Sequence, residues 1–67
     1  MSRKHFEAAA AEIKAMYVKA ASQEALSLGY GVQMQHRAEG AEDLFVSIAS
    51  QFNPRFDAFR FRQACRP

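Results

Sequence analysis

The sequence predicts an all-α fold, a small three-helix bundle in a single domain spanning 1–67. Two observations predict it. Apolar residues recur at steps of three and four over two long stretches, the spacing of one helix face. The breakers fall between those stretches, at Gly29-Tyr30-Gly31 and at Asn53-Pro54.

The first helix is expected from about Ser2 to about Ala21. Ala8, Ala9, Ala10 and Ala11 are a run of the best helix former. Phe6, Ala10, Ile13, Tyr17 and Ala20 make its buried stripe, widened by Met16. The Ser2 hydroxyl is placed to cap its N-terminus. Arg3 and Lys4 oppose the helix dipole there, which marks them as candidate contact residues.

Residues 22–35 read as a loop into the second helix. Each glycine costs about 1 kcal/mol in a helix interior. Gln23-Glu24-Ala25-Leu26 is placed to extend the first helix before that break. Val32, Met34 and His36 alternate with glutamines, a weak strand-like pattern with no strand to pair with.

The second helix is expected from about Gln35 to about Gln51. Its face is Met34, Ala38, Ala41, Phe45, Ile48 and Phe52, broadened by Leu44 and Ala49. Glu39, Glu42 and Asp43 then fall near its start, as a solvated cluster favoured by the dipole. Asn53-Pro54 ends it, because the residue before proline leaves the helical region. The third helix is expected from Asp57, its N-cap, to Arg66. Ala58, Phe61, Ala64 and Cys65 form its buried edge, and Phe56 plugs the preceding turn. Of Phe59 and Phe61, one is expected at the surface.

Composition limits function. The chain has 67 residues, 49% hydrophobic and 24% charged, which are globular values. A domain this small has a net stability of roughly 3–5 kcal/mol. It has little wall from which to build a substrate pocket. One cysteine, Cys65, excludes an intrachain disulfide and favours a reducing, cytoplasmic setting. The start lacks the apolar run of a secretory signal. The longest uncharged runs are 11 residues, against about 20 for a membrane span.

Net charge is +2 and uneven. Residues 1–5 carry +2, residues 6–52 carry −3 and residues 53–67 carry +3. Basic ends bracket an acidic middle, a pattern suited to nucleic acid or an acidic partner.

No chemical constellation assembles in the sequence. His5, His36 and Cys65 lack the close pairing of zinc ligands. Gly29-Tyr30-Gly31 lacks the lysine of a phosphate loop. Cys65 sits at a helical core position as a small hydrophobe. The reading assigns no catalytic residue, no cofactor and no metal. Arginine and phenylalanine do interleave from Arg55 to Arg62, as in nucleic-acid-binding surfaces. The candidate partner-binding residues are therefore Arg3, Lys4, Arg55, Arg60, Arg62 and Arg66. The acidic face of Glu39, Glu42 and Asp43 is the alternative.

The two ends carry a resemblance. Ser2-Arg3-Lys4-His5-Phe6-Glu7-Ala8 and Asn53-Pro54-Arg55-Phe56-Asp57…Arg60-Phe61…Ala64-Cys65 resemble the ends of short proteins from tailed bacteriophages and prophages. The match covers about a third of the chain and leaves the middle out. Those proteins end in glycine after the cysteine, where this chain has Arg66-Pro67. The resemblance implies no catalytic residue. It implies a phage setting, where small pocketless proteins block host or defence-system complexes, anti-CRISPR inhibitors among them. A non-enzymatic blocker is the expected function. A small DNA-binding regulator that sets its basic ends on phosphates is the alternative. A monomer and a homodimer both fit this reading.

Overall fold

The computed structural model describes residues 3–67, and all regular structure among them is helical. Four helices follow in order: α1 (Arg3–Ala20), α2 (Gln23–Leu28), α3 (Gly31–Phe52) and α4 (Ala58–Ala64). The all-α class holds, but there are four helices where three are expected. The expected cap at Ser2 lies outside the described residues.

The extra helix lies where a loop is expected. Ser22 is the reason the chain turns rather than extending α1. Its Oγ accepts from the Ala25 amide at 3.2 Å and starts α2 as an N-cap. Gly29 ends α2 in the left-handed region, at φ 79°. The Tyr30 amide then donates to the Ala25 carbonyl at 3.1 Å, satisfying a helix-end acceptor. Gly31 is already the first residue of α3. A Cβ on it would stand 2.9 Å from the Ala20 carbonyl oxygen, so α3 starts in backbone contact with the end of α1. The two glycines thus punctuate helices rather than dissolve them. Val32, Met34 and His36 lie in the first turns of α3 and form no strand. Gly29→Ala is expected to cost about 1–2 kcal/mol, the penalty of a Cβ in the left-handed region. A lower urea midpoint at unchanged slope checks it.

α1 and α3 run antiparallel. Ala20 meets Gly31 at one end, and the rings of Phe6 and Phe45 meet at 5.9 Å toward the other. α4 lies across them and closes one side. The core holds Ala10, Ile13 and Tyr17 of α1, Ala38 of α3, and Phe61 and Cys65 of the last segment. Four phenylalanines line its end. Phe45 stacks on Phe61 at 4.7 Å, and Phe56 stands 5.1 Å from Phe6 and 5.6 Å from Phe61. Such pairs add about 0.5–1.5 kcal/mol each beyond their area.

The α1 stripe is buried as expected, with Phe6 half-buried. The α3 face is not. Its buried positions are Gly31, Ala38, Glu42 and Ala49. Met34, Ala41 and Phe45 are half-buried, while Leu44, Ile48 and Phe52 are exposed. The helix is rotated toward Glu42. In α4, Asp57 is the N-cap, its Oδ1 accepting from the Arg60 amide at 3.1 Å. Asn53 folds the turn before it, accepting from the Arg55 amide at 3.1 Å. Phe61 and Cys65 are buried and Phe59 is exposed. Ala64, expected inside, faces solvent, and α4 stops there rather than at Arg66.

Candidate partner-binding site

The basic residues of the two chain ends separate into two groups with different work. Arg62 and Arg66 turn inward to the acidic middle. Arg62 Nη1 donates to Glu42 Oε2 and, at 2.8 Å, to Asp43 Oδ1. Arg66 Nη2 donates to the same Glu42 oxygen at 3.3 Å. Tyr17 Oη donates to Glu42 Oε1 at 3.0 Å, and the Arg66 guanidinium lies 4.7 Å from the centre of the Tyr17 ring. That distance is a cation–π contact. Glu42 is 1% exposed, yet each carboxylate oxygen has a donor, so no buried charge is left alone.

The network sets the protonation of its neighbours. Hydrogen bonds from Arg62 to Asp43 and Glu42 raise the Arg62 pKa and hold it charged. Burial, then the hydrogen bond to Glu42, pushes the Tyr17 phenol up, against a smaller opposing pull from Arg66. Burial pushes the Cys65 thiol up as well, reinforced by the Glu42 charge. A buried thiol held protonated is a poor nucleophile.

This overturns the expected solvated acidic face. Glu42 is a core residue. Asp43 is exposed but paired, and Glu39 is exposed and accepts from Gln35 Nε2 at 3.2 Å. The signal for Glu42 was present in the sequence. It stands four residues after Ala38 and seven before Ala49, on their stripe. Treating it as one of three acids at a helix start hides that phase.

The second group faces outward. Arg3, Arg55 and Arg60 line one cleft of about 400 Å³ between the start of α1 and the turn into α4. Phe6, Phe56 and Phe61 form its apolar wall. Phe56 and Phe61 belong to the arginine–phenylalanine interleaving read in the sequence, whereas Phe6 carries only a core signal there. Two carboxylates also line the cleft, and both are engaged. Glu7 accepts from Arg3 Nε at 3.2 Å, and Asp57 caps α4. Among the described residues, the Arg55 and Arg60 side chains make no ion pair. Lys4 is exposed and does not line the cleft. The two chain ends therefore do come together in space, through three of the six predicted cations.

The chain matches no protein-family model, and no curated protein or solved structure matches it.

The described residues hold no group of three or more His, Cys, Asp or Glu side chains placed to bind a metal. No helix among them is long and apolar enough to cross a membrane. What the geometry offers is a cleft lined by guanidinium groups and aromatic rings. Such a site recognises a carboxylate or phosphate carried beside an apolar group.

Proposed function

We propose that this chain is a non-enzymatic protein–protein interaction module. It docks its basic cleft on an acidic surface of a larger host or defence-system complex and blocks it, acting in the host cytoplasm. Anti-CRISPR inhibition is the sharpest form of this reading. The observation that carries it is the convergence of Arg3, Arg55 and Arg60 on one cleft. Among the described residues, the Arg55 and Arg60 side chains there have no carboxylate partner, and Phe56 lies beside them. Guanidinium forks pair with carboxylates in two parallel hydrogen bonds, and an aromatic lining accepts the apolar part of the same segment. The phage-like ends support the setting, since the closing motif supplies Asn53, Arg55, Phe56, Asp57 and Arg60 of the cleft.

The alternative is nucleic acid, with the same arginines on phosphates and the rings on bases. Burial of Glu42 weighs against the other route, in which an acidic face occupies a nucleic-acid site, since it leaves only Glu39 and Asp43 of that face at the surface.

A pull-down of the tagged chain from host lysate at moderate salt, with and without nuclease, separates the two. A stoichiometric protein partner retained after nuclease and lost in Arg55→Glu/Arg60→Glu supports the proposal. Loss of every partner on nuclease treatment rejects it. Binding to DNA would then weaken with salt, with a log–log slope of about −0.9 per phosphate contacted.

A further inference from the structure

We propose that the chain forms a homodimer through the side of the α1–α3 hairpin that α4 leaves open, a face separate from the cleft. Three observations meet there.

The first is a ridge. Gly40, Leu44, Ile48 and Phe52 follow each other at steps of four along α3. Such rows are the ridges that interdigitate when two helices cross. Leu44 is 62%, Ile48 40% and Phe52 78% exposed. Helical phase puts Leu44 about 160° around α3 from Glu42, the residue that Arg62 and Arg66 clasp. α4 covers that other side. Neither Leu44, Ile48 nor Phe52 lines the basic cleft.

The second is Gly40. A glycine inside a 22-residue helix weakens it. Nothing in this chain requires it, because a Cβ built there meets no atom within 4 Å. A second helix crossing at the ridge gives it a use, since a missing side chain lets two backbones approach closely.

The third is area. A folded monomer of 7.5 kDa exposes about 4,200 Å² by the surface scaling of globular proteins. This chain exposes 5076 Å². The radius of gyration is 12.8 Å, against about 11 Å for a compact domain of this length. Over the whole molecule the excess is about 800 Å², the same size as the area each partner buries in a standard interface. A second copy placed two-fold on this face sets ridge against ridge, since an isologous contact uses the same patch twice. It stacks four long helices in two layers, with α4 of each copy on the outer side.

Sedimentation equilibrium of the full chain across a wide concentration range tests this. The expected result is a concentration-dependent mass that reaches twice 7.5 kDa. Leu44→Glu/Ile48→Glu is expected to weaken dimerisation by at least about tenfold, a modest loss for two charges buried at the centre of an interface. Gly40→Leu is expected to weaken it as much while raising helicity, because leucine favours the helix. Helix content from circular dichroism separates loss of dimer from loss of fold. A mass of 7.5 kDa throughout overturns the proposal, and so does a dimer that tolerates both variants. Arg55→Glu/Arg60→Glu leaves the mass unchanged, so failure here and failure of the partner-binding reading are read separately.

Discussion

Replacing Arg62 and Arg66 together by alanine is expected to unfold most of the chain at room temperature. Both arginines are partly exposed, and their own desolvation is small. The damage falls on Glu42, which is 1% exposed and keeps only the Tyr17 hydroxyl as donor. Leaving a buried charge without its partner costs about 3–5 kcal/mol. A domain of this size has roughly 3–5 kcal/mol in all. The urea midpoint should therefore fall to near zero. Adding Glu42→Leu to the same variant should restore folding, because an apolar residue replaces a buried ion pair at little cost once both charges are gone. Rescue identifies the stranded carboxylate as the cause. Unrescued unfolding assigns the loss to the contact of the Arg66 guanidinium with the Tyr17 ring instead.

The second large effect is expected at Phe61. It is the one buried residue of α4, and it stacks on Phe45 and touches Phe56. Phe61→Ala is expected to cost about 3–5 kcal/mol from lost transfer energy and the cavity left behind. Phe59→Ala, two positions away and 69% exposed, is expected to stay within about 0.5 kcal/mol. Thermal unfolding of the pair, read by circular dichroism, checks the contrast. Equal effects at the two positions would show that the helix faces solvent with the wrong side.

Much of this architecture was legible in the sequence. α1 follows from its alanine run and its stripe through Phe6, Ile13 and Tyr17, because both propensity and periodicity point the same way there. Asp57 and Asn53-Pro54 mark the entry to α4 by local chemistry alone. The rest was hidden for two physical reasons. Gly29 and Gly31 weaken a helix interior, but one is a left-handed C-cap and the other a first residue in backbone contact. Only the tertiary position of Ala20 reveals the second role. On α3, hydrophobicity points to Leu44, Ile48 and Phe52 as core. A tertiary ion network instead draws Glu42 inside and turns those three outward. The cleft was half legible. Its arginines were named as contact residues, but Arg62 and Arg66 were grouped with them, since charge alone does not say which cations are already paired.

The cleft has walls from opposite ends of the chain, Arg3 on α1 and Arg60 on α4. A seven-residue helix has no stability apart from what it packs against. On the proposed reading, capture of a partner by the cleft and the docking of α4 would be one linked equilibrium. A partner that bridges Arg3 to Arg60 acts as a staple, and it binds only the folded form. At a hundred times its dissociation constant it adds about 2.7 kcal/mol to the unfolding free energy. For a domain whose whole margin is roughly 3–5 kcal/mol, that is more than half as much again. Occupancy would then set the lifetime of the protein as well as its activity.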